Sequence, residues 1–145
     1  TYSCSIFDKL TPVQFLTNLL KLYTKLKMSR SIIAGDRNWN DRQTMEDYIN
    51  QLSVDTVIIE GDCRGADKMA GDIALKRGMT VVKFPADWSM GRKAGPIRNR
   101  KMLEQNPDRL VIFHNNIENS KGSKNVRNQA LKKNIDVEVV TSGGK

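Results

Sequence analysis

From Ser31 onward, short runs of apolar residues alternate with segments in which apolar residues recur every three or four positions. The runs are SIIAG, TVIIE, MTVVKF, DRLVIFH and IDVEVV, rich in the β-branched residues that strands favour. Between them the spacing predicts four helices. The first covers Arg42 to Leu52, with Met45, Ile49 and Leu52 on one face. The second covers Ala66 to Arg77, with Ala66, Met69, Ala70, Ile73 and Ala74 aligned and Gly78 as its stop. The third runs from Pro96 to about Gln105 and the fourth from Val126 to Lys133. Strand–helix alternation of this kind predicts an α/β fold: a Rossmann-like, doubly wound, mostly parallel sheet of about five strands with helices on both faces. Ligands of such sheets sit at the carboxyl ends of the strands, near the point where the strand order reverses. Every unusual loop in this chain leaves the carboxyl end of a predicted strand.

Residues 1–29 differ from this repeat. Thr11 and Pro12 form a helix start, and Phe15, Leu16, Leu19, Leu20, Tyr23 and Leu26 then recur at helical spacing, predicting a helix from Pro12 to Lys27. Met28-Ser29-Arg30 stands where a compact domain could begin. The expected organisation is an N-terminal helical extension (1–29), one nucleotide-binding-type domain (30–141) and a flexible tail (142–145). A helix packed on the domain or on a partner, with a homo-oligomer as one form of it, is favoured over a membrane-surface helix.

Composition narrows the picture. A chain of 145 residues, 39% hydrophobic and 28% charged, is ordinary for one soluble globular domain. No apolar run reaches the roughly 18 residues that cross a bilayer, and Asp8 and Lys9 interrupt the start, so neither an integral membrane protein nor a secretory leader is expected. Cys4 and Cys63 lack metal-type spacing, and His114 is the single histidine. No metal site is expected, and free thiols fit a cytoplasmic protein. The formal net charge is +8, which suits nucleic acid or an anionic small molecule. Lys83, Arg92, Lys93, Arg98, Arg100 and Lys101 cluster around Asp87 and beside glycines, a setting that favours a small anion over a duplex.

The loops carry the candidate chemistry. After the second strand comes GDCRGAD. Gly61 and Gly65 permit a sharp turn, with Gly65 expected to let the backbone approach a ligand. The helix opening at Ala66 would offer free N–H groups and a positive dipole end to phosphate. Arg64 could add a bidentate contact, and Asp62 and Asp67 are acceptors, Asp67 for the helix dipole or a ribose hydroxyl. In PADWSMGRKAGPIRNRKM, Gly95 and Pro96 precede Arg98 and Asn99 in what the pattern makes a first helical turn. Arginine is unfavourable there unless an anion, or an acid such as Asp62 or Asp87, stands opposite. Trp88 either stacks on a base or plugs the core, with core packing slightly favoured. The first loop offers Gly35, Asp36, Arg37 and Trp39, and Asp41 as a helix N-cap. The fourth offers Gly122 and Ser123 as a weaker anion site. His114 reads as structural.

The order GDRNWND, EGDCRGADKMA, FPADWSMGRKAGPIRNRKM and then a glycine-serine turn resembles the YspA-like branch of the SLOG superfamily. That Rossmann-like group is related to the LOG phosphoribohydrolases and to the DNA-processing protein DprA. The resemblance spans about Arg30 to Val140. It implies a bound nucleotide or nucleotide-derived small molecule. Gly61, Arg64, Gly65 and Asp67 match one motif, Gly95, Pro96, Arg98 and Asn99 a second, and Arg37 the arginine after the first strand. Gly122 and Ser123 stand where the enzymes carry a Gly-Gly-x-Gly-Thr loop. The chain departs from the enzymes there: Ser120-Lys121-Gly122-Ser123 replaces the glycine-rich turn, and Val126 takes the place of the glutamate that serves glycosidic cleavage. Asp36, Asp62, Asp67 or Asp87 could stand in for it. Ligand binding or sensing is favoured over nucleotide hydrolysis, with nucleic-acid binding third.

Overall fold

A computed structural model of the chain describes residues 9–26 and 29–143. The expectations placed on Cys4, on a helix end at Lys27, on a domain start at Met28 and on Gly144 and Lys145 lie outside the described residues.

The elements in chain order are α1 (Pro12–Leu26), β1 (Arg30–Gly35), α2 (Arg42–Asn50), β2 (Val57–Glu60), α3 (Ala66–Lys76), β3 (Val81–Lys83), a 3₁₀ segment (Trp88–Lys93), α4 (Ala94–Leu103), β4 (Arg109–Phe113), a short 3₁₀ turn (Ile117–Asn119), α5 (Lys121–Lys132) and β5 (Asp136–Val140). The strands form one sheet in the order β3-β2-β1-β4-β5, and every pairing is parallel. The expected α/β, doubly wound fold is therefore the one observed.

Parallel strands must be covered on both faces, and period-two alternation does this. Ile33, Ile58, Val111 and Phe113 point to the side of α2 and α3, where they meet Met45, Ile49, Ala70 and Ile73. Ile32, Ile59, Leu110 and Ile112 point the other way, to Met102, Leu103, Val126 and Ala130 of α4 and α5. Each fully buried isoleucine contributes about 1.5–3 kcal/mol relative to exposure. The small residues Ala66, Ala70 and Ala74 let α3 lie close to the sheet, and all three are fully buried.

Two helix starts differ from the pattern-based reading. Helix α5 begins at Lys121, five residues before Val126, because the Ser120 hydroxyl caps it by accepting the Ser123 N–H at 3.2 Å. Helix α4 begins at Ala94, before Gly95 and Pro96, as the continuation of the 3₁₀ segment. Helix α1 leaves its apolar residues in solvent: Val13, Leu16, Leu19 and Leu20 are all more than half exposed. Among the described residues, neither core cluster includes one from α1. Among the described residues, no helix is long and apolar enough to cross a membrane.

Candidate functional site

The strand order turns back between β1 and β4, and a crevice of about 470 Å³ opens at their carboxyl ends. The floor comes from the β1 loop. The Asp36 N–H donates to the Phe113 carbonyl at 2.9 Å, carrying the chain over the end of β4. The Asp36 Oδ1 accepts the Asn38 N–H at 2.9 Å and turns the loop back. Gly35, Asp36, Arg37 and Asn38 line the crevice as a result. Trp39 leaves it: its ring packs edge-on against Phe113 at 5.4 Å, and its Nε1 donates to the Asp41 carbonyl. Asp41 caps α2 as expected, accepting the Thr44 N–H at 3.1 Å.

The β2–α3 loop packs on this floor. Gly65 has φ +81°, a left-handed conformation, and a side chain there would collide with the backbone of Asp36 and Arg37. Its close approach is therefore to the β1 loop, where the sequence suggested a ligand. The amino end of α3 is also more occupied than expected. The Ala66 N–H donates to the Asp36 carbonyl and the Lys68 N–H to the Cys63 carbonyl, both at 3.1 Å. Asp62, with φ +57°, turns outward to Lys83 and Lys68 at 3.3 and 3.9 Å.

Asp67 is 5% exposed. Its Oδ2 accepts the Gly61 N–H at 3.1 Å and the Cys63 N–H at 3.5 Å, pinning the loop. Burial drives its pKa up to about 7; the Arg98 guanidinium opposes the rise, and the Glu60 carboxylate adds to it. Oδ2 makes both of these bonds, and the residue forms part of the crevice wall. Glu60, fully buried at the end of β2, is likewise pushed upward by desolvation; Lys83 Nζ at 3.4 Å from its Oε1 and the Asp62 N–H on its Oε2 hold it.

Arg98 enters from α4. It lies in the second turn, so the first-turn dipole argument does not apply to it. Its partners are neither Asp62 nor Asp87. Nη1 donates to the Gly61 carbonyl at 2.6 Å and to Cys63 Sγ at 3.5 Å, and Nε to the Asn99 Oδ1 at 2.9 Å. Asn99 is buried and donates to the Asn125 Oδ1 at 3.1 Å, joining α4 to α5. Asp87 caps the 3₁₀ segment by accepting the Ser89 N–H at 3.1 Å. Trp88 does not plug the core: it is 54% exposed, with the Arg37 guanidinium 5.4 Å from its ring centroid.

Of the residues singled out in the sequence, the fold brings Gly35, Asp36, Arg37, Arg64, Asp67, Arg98, Asn99, Gly122 and Ser123 to the crevice wall. Gly61, Gly65 and Ala66 support that wall from behind, Asp62 turns outward to Lys83 and Lys68, and Asp87, Trp88, Gly95 and Pro96 lie beside the wall on the neighbouring 3₁₀ segment and α4. The wall also contains Cys63, His114, Ser120 and Lys121. Ser120 and Lys121 could have been found from the S-x-x-S cap spacing. His114 could not, because a strand-end histidine carries no signal of where its ring points. Among the described residues, no group of three or more His, Cys, Asp or Glu side chains is placed to hold a metal ion.

A family model described as the YspA, cpYpsA-related SLOG family matches residues 30–91. The Gene 61 protein of Mycobacterium phage D29 is 32% identical over 120 residues, covering 76% of this chain and 94% of that protein. Among solved structures, DNA processing protein A (DprA) from Streptococcus pneumoniae superposes with a TM-score of 0.64 at 17% identity, over 79% of this chain and 51% of DprA. The chain thus spans about half the length of that structure, and the likeness is one of fold.

Proposed function

The chain belongs to the YspA- and cpYpsA-related SLOG family, and on that premise we propose that its strand-end crevice binds a nucleotide or a nucleotide-derived phosphorylated small molecule. One observation carries the reading. Arg37, Arg64, Arg98 and Lys121, from four different segments of the chain, meet in one crevice at the switch point of the sheet. Four like charges repel each other, and an anionic ligand relieves that cost. The amino end of α5 adds to the attraction. The N–H groups of Lys121 and Gly122 have no acceptor among the described residues, whereas those of α3 are largely taken. The phosphoryl group therefore belongs nearer α5 than α3.

Thermal-shift measurements against AMP, GMP, CMP, NAD and ADP-ribose test the reading. A stabilisation that rises with ligand concentration supports it. No shift with any of them at millimolar concentration overturns it.

Asp67 favours a second reading, hydrolysis of the N-glycosidic bond of a nucleoside monophosphate. Val126 is 1% exposed and belongs to the core, so that position supplies no carboxylate. Asp67 is the crevice carboxyl group held near pH 7, which suits a group that must both accept and return a proton. Chromatography of AMP, GMP and CMP incubations would reveal free base, and Asp67→Asn should abolish its release. Absence of any release leaves binding alone. A nucleic-acid role rests on the net charge and would appear as salt-dependent, sequence-indifferent affinity.

A further inference from the structure

We infer that His114 is a ligand-positioning residue that presents a fixed N–H donor to the phosphoryl group; this rests on the binding reading above. His114 ends β4 and is 8% exposed, and it forms part of the crevice wall. Its Nδ1 accepts the backbone N–H of Asn116 at 2.9 Å. A neutral imidazole carries one proton, so accepting at Nδ1 places that proton on Nε2. Nε2 has no partner among the described residues. It is also not one of the fully enclosed polar atoms that make no hydrogen bond, which among the described residues are Ser31 Oγ and Glu60 Oε1, the latter held by its ion pair with Lys83. The residue is more than nine-tenths buried, its ring is locked in one tautomer, and its single free polar group opens into the crevice.

A buried donor without an acceptor is costly unless water or a ligand completes it. Because the tautomer is set by a main-chain N–H, the group facing Nε2–H must be an acceptor. The same wall carries the free N–H groups of Lys121 and Gly122 at the start of the twelve-residue helix α5. Three donors on one wall match the several acceptor oxygens of a phosphoryl group, and the bond from Nε2–H would be charge-assisted. Ligands lacking that group gain nothing from His114.

Two substitutions separate the two ends of the ring. His114→Asn keeps an oxygen near Nδ1 for the Asn116 N–H and removes the far donor. His114→Gln puts an amide N–H near Nε2 and gives up the Asn116 bond. For AMP, titrated by calorimetry, we expect His114→Asn to bind about tenfold or more weakly with a Tm close to wild type. His114→Gln should bind within about threefold of wild type with a lowered Tm. Adenosine affinity should be the same in all three proteins. If affinity falls in step with Tm, or if AMP and adenosine weaken equally, the assignment to the phosphoryl group is wrong. The ligand-free protein gives an independent arm. Long-range ¹H–¹⁵N spectra should show His114 protonated at Nε2 and bare at Nδ1, and the opposite tautomer overturns the inference even if AMP binds. Wild-type protein that shows the expected tautomer yet binds neither AMP, NAD nor ADP-ribose would instead sink the binding reading and, with it, the role of His114.

Discussion

Arg98 Nη1 donates to the carbonyl oxygen of Gly61 at 2.6 Å, tying α4 to the loop that follows β2. Arg98 is therefore half-buried structure as well as crevice charge, whereas Arg64 is exposed. Arg98→Ala should weaken AMP binding and also cost about 1–3 kcal/mol of stability, from the buried carbonyl and from Asp67 left without its neighbouring charge. Arg64→Ala should weaken binding by a similar amount with Tm unchanged. Calorimetry and thermal melts on the two variants check the contrast.

Gly61 leaves no room for a side chain. A Cβ there would collide with the Arg98 guanidinium and come within 2.8 Å of Asp67 Oδ2. At Gly65 the obstacle is backbone, and φ is +81°. Arg98 is flexible and main chain is not. Gly65→Ala should therefore lose about 3 kcal/mol or more, and Gly61→Ala less, in urea unfolding.

Asp67 makes stability depend on pH. Its folded pKa is raised from 3.8 to about 7, so between these values the folded state holds a proton that the unfolded state has released. Its contribution is intact below about pH 4 and is lost as pH rises through 7, a change on the order of 4 kcal/mol. Asp67→Asn can still accept the Gly61 N–H without carrying charge. Melts from pH 5 to 9 should show the variant gaining on wild type as pH rises, with a flatter profile.

The two tryptophans should separate optically. Trp39 is 5% exposed and Trp88 54% exposed. Trp88→Phe should remove the acrylamide-quenchable emission, leave a quench-resistant component and change stability by less than about 0.5 kcal/mol. Quenching that persists unchanged in the variant would contradict the exposure of Trp88.

A chain starting at Ser29 should fold with the same urea midpoint as the longer chain. Among the described residues, both cores are built from side chains between Ile32 and Val140, with none from α1. A lowered midpoint would mean that α1 stabilises the domain.

The alternation of apolar runs and amphipathic segments determined the sheet, the helices and the end at which the loops gather, because strand and helix periods are local properties. The loop glycines and arginines were legible for the same reason: few residue types tolerate such turns or place such charge near a strand end. What each residue does there was decided only by the packed chain. Gly65 approaches the first loop because β1 and β2 are neighbours in the sheet, with Ile33 opposite Glu60. The Arg98 contact with Gly61 spans 37 residues of sequence. His114 faces the crevice because β4 lies beside β1 and the Asn116 N–H holds its ring. These relationships depend on strand order and on which buried donor finds which acceptor, quantities that sum over the whole fold and that no short stretch of sequence contains.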